Sequence, residues 1–135
     1  MSTPRRATVG FDSARLAMIL AVLETRAGMR FADKEVFLNV AGGLKINEPA
    51  ADVAASLALI SALLDKPLPA GLVSFGEIGL TGEIRAVSRA ETRLKEAAAL
   101  GFTRAVIRLG SIRYVNTTQC RRPTPSSTAA TPSPG

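Results

Sequence analysis

The sequence predicts an α/β fold, a two-layer α+β sandwich in which helices pack on strands. Segments with helical spacing of apolar residues alternate with short strand-like segments, in the order α-β-α-β-β-α-β and with short connections. Hydrophobic residues make up 47% of the 135 residues, whereas aromatic residues make up 4% and Trp is absent. A chain of this length forms about one domain, and its core must be built from Ala, Leu, Val and Ile.

The first predicted helix spans residues 12–28. Asp12 or Ser13 can cap its N-terminus and Gly28 can end it. Its apolar residues recur at helical spacing: Leu16, Ile19, Leu20 and Leu23. The stretch EVFLNVAGG, residues 35–43, then predicts a strand with one apolar face formed by Val36, Leu38 and Val40.

A second helix is predicted from Ala50 to Leu64. Pro49 suits its first turn, and Asp52 suits the positive end of the helix dipole. Its other residues leave almost no polar face, as shown by Ala51, Val53, Ala54, Leu57, Ala58, Ile60 and Ala62. A helix this apolar is expected to be buried in the middle of its domain.

The second half of the chain predicts a hairpin, a helix and a strand. Residues 72–87 are interpreted as two strands joined near Thr81-Gly82. An amphipathic helix follows, with Ser88 as its N-cap and Glu91 three residues later completing a capping box. Gly101 ends this helix, and TRAVIRL, residues 103–109, predicts the last strand.

The segment from Gly110 to Gly135 is rich in Pro, Ser and Thr and lacks periodicity, so we expect a disordered tail there. The tail also bears on the net charge of +6. Residues 1–109 hold 14 Lys/Arg and 11 Asp/Glu, and the remaining three positive charges are Arg113, Arg121 and Arg122. The overall charge is therefore weak support for a polyanionic partner.

Residue types that are absent exclude several kinds of chemistry. There is no His, which excludes Ser-His-Asp and Cys-His catalysis and His-dependent metal sites. The only Cys is Cys120, which excludes a disulfide framework and a zinc ribbon and makes a cytoplasmic location the natural expectation. No run approaches the roughly 18 apolar residues of a membrane span, so no membrane partner is expected. No phosphate-binding G-x-x-x-x-G-K-[ST] loop occurs either.

The sequence closely resembles the C-terminal, Lon-protease-like domain of the RadA (Sms) family of bacterial DNA-repair proteins. The resemblance covers about residues 4–109 and is carried by PRRATVGFDSARLAMILAVLE, VFLNVAGGLKINEPAADVAASLALISALLDKPLP and FGEIGLTGEIRAVSRAETRLKEAAALGF. It implies the Lon proteolytic-domain fold, which belongs to the class like domain 2 of ribosomal protein S5. We therefore expect residues 1–109 to form this domain without its first strand, as a fragment that lacks the family's zinc finger and RecA-like ATPase domain. ATP, Mg and Zn are expected only for those other domains, and no cofactor is expected here.

The resemblance also implies where a protease site would lie. Lon proteases use a Ser–Lys dyad, with the serine in a P-S-A-G run at the start of the buried helix. Ala50 occupies the serine position here, Arg93 occupies the lysine position, and Asp52 replaces the glycine. A methyl group cannot attack a carbonyl, and a guanidinium group does not act as a base. A charge at Asp52 is expected to repel an oxyanion in this loop. No proteolysis is therefore expected, and the alternative is a Lon-type (S16-like) ATP-dependent serine peptidase.

Other polar residues are weaker candidates for catalytic groups. Ser56 and Ser61 are expected to bond to the helix backbone. Glu77 and Glu83 could form an acid/base pair, but solvated or ion-paired charges beside a hairpin are the favoured interpretation.

Two functions without catalysis remain. The first is sequence-independent contact with duplex or branched DNA through a basic stripe formed by Lys45, Arg85, Arg89, Arg93 and Arg30. No aromatic residues interleave these cations, which favours duplex backbone over stacking on single strands. The alternative is an ordinary solvated face, because Glu91 and Glu96 share the same helix.

The second function is assembly into a homo-oligomer, which the resemblance implies is a hexameric ring. Ring contacts join two different faces of a subunit, and the candidates are the helix with Arg15 and Glu24 and the helix with Arg93. A third possibility is that the truncated chain exposes a sheet edge and is not stable.

Overall fold

The computed structural model describes residues 3–109 and 111–117, and these form a mixed α/β fold, as the sequence predicts. Its strands and helices are β1 (Arg6–Val9), α1 (Ser13–Ala27), β2 (Val36–Asn39), α2 (Asp52–Leu64), β3 (Leu72–Ser74), β4 (Glu77–Ile78), β5 (Ile84–Arg85), α3 (Ala90–Ala99), β6 (Arg104–Leu109) and β7 (Ser111–Asn116). Short 3-10 turns occur at Ala41–Gly43 and Pro49–Ala51. Three small sheets are present among these residues: β1-β2, β3-β6-β7 and β4-β5. No helix in the described part of the chain is long and apolar enough to cross a membrane.

The N-terminal half is built on α1, whose predicted ends are confirmed. The Asp12 carboxylate accepts a hydrogen bond from the backbone N–H of Ala14, and Gly28 ends the helix in the left-handed conformation at φ 67°. The apolar face of α1 packs with β2 and α2 in one cluster, made of Leu16, Ile19, Leu20, Leu23, Phe31, Val36, Ala55 and Leu59. Burial of this face, more than helix propensity, fixes the position of α1.

A strand that the sequence did not predict precedes α1. Residues Arg6–Val9 form β1, which runs parallel to β2 with Arg6 opposite Val36 and Val9 opposite Asn39. The predicted strand at residues 35–43 is confirmed only for Val36–Asn39, because the chain then enters the 3-10 turn at Ala41–Gly43.

Helix α2 is preceded by a 3-10 turn at Pro49–Ala51 and is less buried than predicted. Val53, Ala55 and Leu59 are buried, but Ala54 and Ala58 are exposed. The helix thus has one solvent-facing side lined largely by small side chains. The expectation of burial in the middle of the domain was therefore wrong for that side.

The predicted pair of strands at residues 72–87 is three strands. β3 pairs in parallel with β6, and β4 and β5 form the hairpin, with Glu77 opposite Arg85. Between β3 and β4 the chain passes Gly76, whose N–H donates to the Ala50 carbonyl at 2.8 Å and whose carbonyl accepts from the Val53 N–H at 3.1 Å. A Cβ at Gly76 would lie 2.8 Å from a Val53 methyl group, so this close approach requires glycine.

Helix α3 begins at Ala90, and the predicted Ser88 cap was wrong. Arg89 occupies the cap position in the left-handed conformation, at φ 61°, and no side chain caps the helix. Because of this conformation, the helix begins after Ser88. The backbone carbonyl of Ser88, and not its hydroxyl, contacts the helix: it accepts a hydrogen bond from Arg93 Nε at 3.0 Å.

Part of the segment expected to be a disordered tail forms β7. Ser111–Asn116 pairs antiparallel with β6, and the following Thr117 is fully buried, with its hydroxyl donating to the Phe102 carbonyl. One face of β6 packs its buried Ala105 and Ile107 against Phe75 and Leu94. The rest of the expected tail, residue 110 and residues 118–135, lies outside the described residues.

Candidate functional site

The position of the expected serine lies in the turn that starts α2. Ala50 is buried, and its carbonyl is fixed by the N–H of Gly76. The side chain at this position is a methyl group, which has neither a proton to lose nor a lone pair with which to attack. The turn is well defined, but it presents no nucleophile at this position.

Arg93, at the expected lysine position, reaches the segment just before this turn. Its Nη2 forms an ion pair with Glu48 Oε1, two residues before Ala50. Its guanidinium carbon also lies 5.9 Å from the centre of the Phe75 ring, a cation–π contact. The fold thus brings the neighbourhoods of the two dyad positions together, with a permanently charged group in place of a base.

Asp52 is the most deeply buried charged residue of this region. Its side chain is fully buried, and Oδ1 accepts a hydrogen bond from Arg15 Nε at 2.5 Å while Oδ2 accepts from Arg15 Nη2. Oδ2 also accepts from the backbone N–H of Ile78 at 2.9 Å. A second carboxylate, Glu77, lies 3.5 Å from Arg15 Nη2. This network joins α1, α2 and the β4-β5 hairpin.

The network corrects the role expected for Asp52. Its carboxylate is neutralised by Arg15 and held by Ile78, so its charge is directed into the protein's own ion pair. The hydrogen bond to Asp52 raises the pKa of Arg15 above its ordinary value, and this outweighs the lowering by burial. Sequence reasoning missed this pair. One signal was present: an aspartate in an apolar helix needs a cation or donor.

An open cleft of about 590 Å³ lies between the β1–α1 connection and residues 45–49. Its charged lining residues are Asp12, Arg15, Lys45 and Glu48, two of each sign. Arg15 and Glu48 already have ion-pair partners elsewhere. The cleft therefore lacks the excess of one charge that would concentrate an anionic ligand.

The residues predicted to bind DNA are only partly brought together. Arg89 and Arg93 line one groove of about 540 Å³ between β3 and α3, which Glu96 also lines. Lys45 lines the neighbouring cleft together with Glu48, and Glu48 forms an ion pair with Arg93.

Neither Arg85 nor Arg30 lines that groove. Arg85 is on β5, 3.9 Å from Glu83, and Arg30 follows the C-terminal end of α1. Lys45 lines a cleft with Asp12, which precedes the N-terminal end of α1. The C-terminal end of α1, which Arg30 follows, is about 22 Å away along the helix. Of the five cations, two line this groove and the other three do not.

The other polar candidates have structural roles. Ser56 donates to the Asp52 carbonyl at 2.8 Å, and Ser61 donates to the Lys66 carbonyl at 2.6 Å, as expected for helix serines. Glu77 and Glu83 pair with arginines, which supports the interpretation as ion-paired charges.

Comparison with known proteins shows the family to which this chain belongs. Residues 5–110 match the family described as subunit ChlI of Mg-chelatase, and the chain therefore belongs to that family.

Within this class, the chain is similar to proteins named DNA repair protein RadA. It is 57% identical to that of Brucella abortus (strain 2308) over 111 residues, which is 82% of this chain and 24% of the relative. It is 58% identical to that of Rickettsia bellii over 106 residues (78% and 24%) and 51% identical to that of Escherichia coli K12 over 107 residues (79% and 23%). The predicted resemblance is confirmed, and the chain spans about a quarter of the length of these relatives.

Proposed function

We propose that this chain is a non-catalytic domain of a RadA-type DNA-repair protein, and that it contacts DNA and takes part in self-assembly. The observation that carries the proposal is the similarity to relatives named DNA repair protein RadA, at 57% and 51% identity over about four fifths of the chain. The parent reaction would be recombinational repair with branch migration, in the cytoplasm. ATP, Mg and Zn would be bound by parts of the longer protein other than this domain.

The proposed fold is that of the Lon proteolytic domain, in the class like domain 2 of ribosomal protein S5. An apolar helix that starts after Pro49 and a second helix whose Arg93 reaches the start of the first support this assignment. A parallel pair, β3 and β6, flanks the second helix in sequence and agrees with this arrangement.

The lack of catalysis is part of the same proposal. Ala50 offers no nucleophile, and Arg93 is a guanidinium held by Glu48. Hydrolysis of a fluorogenic peptide by the full chain tests the alternative, a Lon-type ATP-dependent serine peptidase. Ala50→Ser is expected to remain inactive, because Arg93 cannot take the serine proton. Turnover by the native chain would overturn the proposal, and turnover by Ala50→Ser would refute the argument about Arg93.

DNA contact would centre on Arg89 and Arg93, with Lys45 at the margin. Both arginines line one groove, and Arg89 is exposed to solvent. Guanidinium groups pair with phosphate oxygens without reading sequence, so affinity should depend on salt more than on base composition. Glu48 and Glu96 weaken the local field, and so we expect modest affinity.

A salt titration tests this contact in the full chain. Anisotropy of a labelled duplex is measured at several salt concentrations in an Arg121→Ala/Arg122→Ala background, which removes the two arginines outside the described residues. Adding Arg89→Ala and Arg93→Ala should make the log–log slope shallower by about 0.9 for each phosphate that the variant no longer neutralises. Arg30→Ala is the matched control, since Arg30 lies at the far end of α1 and should leave the slope unchanged. Equal slopes in all variants would refute a contact on α3.

Self-assembly would use α3 more than α1. The charged residues of α1 named as candidates have partners within the chain: Arg15 pairs with Asp52, and Glu24 accepts the Phe31 N–H at 2.9 Å. Near the end of α3, Leu100 is exposed and lines the same groove as Arg93. Sedimentation velocity of the native chain against Leu100→Glu tests a hexameric ring. A monomer at every accessible concentration would exclude assembly by this domain alone.

A further inference from the structure

An apolar cavity of about 370 Å³ lies among α1, α2, the β4-β5 hairpin and the β6-β7 hairpin. Each of these parts contributes to its walls: Val22 lies on α1, Val53 on α2, Ile84 on β5 and Val106 on β6. Val22 and Val53 are buried and pack with Ile78 in one hydrophobic cluster, so the core holds these walls in place. None of the residues predicted to bind DNA lines this cavity.

The walls of the apolar cavity offer water few hydrogen-bonding partners. Among the described residues that line it, two have polar side chains, Ser56 and Arg26. The Ser56 hydroxyl already donates to the Asp52 carbonyl at 2.8 Å. A buried water makes about three hydrogen bonds, whereas apolar cavities of about 150 Å³ stay dry and bind small apolar molecules. A cavity of this chemistry, with more than twice that volume, therefore fits an apolar group.

Arg26 places a positive charge beside the apolar cavity. It is exposed, lies in the last turn of α1 and packs its stem against Gly82, where a Cβ would lie 3.0 Å from Arg26 Cγ. The ion pairs found among the described residues do not involve Arg26, and no acidic residue of that part of the chain lines the cavity. Ile112, which is 60% exposed, continues the apolar lining to the surface. The cavity thus combines apolar walls with a cation that can pair with an external carboxylate.

We infer that this cavity binds a free fatty acid of medium chain length, with the hydrocarbon chain against the apolar walls and the carboxylate paired with Arg26. The volume sets the length of the chain. At about 30 Å³ per non-hydrogen atom, the share that a water molecule takes in the liquid, the cavity holds roughly 12 such atoms. Decanoate, with ten carbons and two oxygens, has this size. The inference does not rest on the proposed DNA role, because the cations proposed to contact DNA do not line the cavity.

Calorimetric titration of the full chain with fatty acids of increasing length tests the size of the site, at concentrations below those at which each acid forms micelles. Affinity should rise roughly fourfold for each CH₂ added from hexanoate to decanoate, because each added CH₂ moves from water into the cavity. The rise should stop at about 10–12 carbons, where the cavity is full. An affinity that keeps rising with length indicates adsorption to the surface and would overturn the inference, as would a failure to saturate at one decanoate per chain.

Ala27→Phe tests whether the acid enters the cavity. Ala27 is exposed at the end of α1 and lines the cavity, so the added ring occupies part of the cavity without removing a buried side chain. Decanoate should bind this variant roughly 15-fold more weakly or worse, the equivalent of two displaced CH₂ groups. Ala21→Phe is the matched control, because Ala21 is exposed on the same helix but does not line the cavity, and it should bind like the native chain. Native affinity in Ala27→Phe would refute this site.

Arg26→Met tests the choice of an anionic head group. Decanoate should bind it roughly 1.5- to 5-fold more weakly, the range for one exposed ion pair, while Arg30→Met, a nearby cation outside the cavity, should bind like the native chain. Decylamine has the same chain with a positive charge and should bind the native chain more weakly than decanoate. Equal binding of the two ligands, or an equal loss in Arg30→Met, would refute the pairing with Arg26. Circular dichroism of each variant confirms that it is folded before its affinity is interpreted.

Discussion

Removing the Asp52 carboxylate should destabilise the fold more than any other single charge change in the described residues. In Asp52→Ala, Arg15 loses both hydrogen bonds and its fully buried partner, and the Ile78 N–H loses its acceptor. Breaking a buried ion pair on one side costs about 3–5 kcal/mol. Because Arg15 keeps a quarter of its side chain in water, the lower half of that range applies, about 3 kcal/mol.

Urea unfolding of the full chain, followed by circular dichroism at 222 nm, measures this loss. With a slope of about 2 kcal/mol per molar urea, the midpoint should fall by roughly 1.5 M. Asp52→Asn should lose less, about 1–2 kcal/mol, because the amide oxygen can still accept from Ile78 while the charge is gone. Asp65→Asn is the matched control, since Asp65 is exposed and its left-handed conformation, φ 52°, suits Asn.

A double-mutant cycle with Arg15→Met completes the test. If the two residues stabilise the fold as a pair, the double variant should lose less than the sum of the single losses. A midpoint for Asp52→Ala within 0.5 M of the Asp65→Asn midpoint, on the scale of roughly 2 kcal/mol per molar urea, would refute the reasoning. Additive losses would refute the pairing while leaving the burial cost of Asp52.

Three further changes have defined outcomes. Gly10→Ala should destabilise the chain by more than about 2 kcal/mol. Gly10 has a left-handed backbone, φ 78°, and a Cβ there would clash with the carbonyl oxygen of Leu44. Gly42→Ala shares the left-handed backbone, φ 83°, but meets nothing within 4 Å, so the difference in urea midpoints isolates the clash. Thr81→Val should raise the pKa of Glu83 toward its ordinary 4.5 in an NMR titration, because the Thr81 hydroxyl holds that pKa down, a stabilisation present above pH 4.5 and lost as pH falls. Glu48→Gln should strengthen duplex binding by anisotropy, because it releases its arginine partner on α3, and unchanged affinity would place that arginine away from DNA.

The helices were predictable because their signals are local. Along α1, apolar spacing, an Asp cap and a terminal Gly all agree, and both ends were placed within one residue. Along α3, the capping signal predicted the wrong N-terminal end of the helix. A serine followed by Glu91 satisfies the capping-box pattern, but the left-handed Arg89 shifts the start of the helix past Ser88. A backbone conformation of this kind leaves no mark in the pattern of residue types.

The strands were harder to predict because pairing is not local. Arg6–Val9 has only four residues, and two of them are polar, so its residue types do not predict a strand. It is a strand because it pairs with β2. β7 was not predicted because the residues that follow it are rich in Pro, Ser and Thr, and the whole segment was interpreted as disordered. Within Ser111–Asn116 itself, Ile112, Tyr114 and Val115 are strand-forming residues, and averaging over 26 residues removed that signal.

The candidate site shows why positions can be inferred from a resemblance while roles cannot. Ala50 and Arg93 fall where the resemblance puts a serine and a lysine, yet the groups that decide their chemistry, Gly76 and Glu48, were not part of any pattern. Asp52 was interpreted as an obstacle to an oxyanion, and its partner, Arg15, is 37 residues away on another helix. The sequence contains 17 Lys and Arg residues, and it does not identify which of them pairs with a buried carboxylate. The packing of α1 on α2 determines that partner. Under the proposed function, the ion pairs of Asp52 and Arg93 hold the fold together around a site without a nucleophile. Arg93 would then be available to a DNA phosphate only when it leaves Glu48, and this is why we expect modest affinity for DNA at α3.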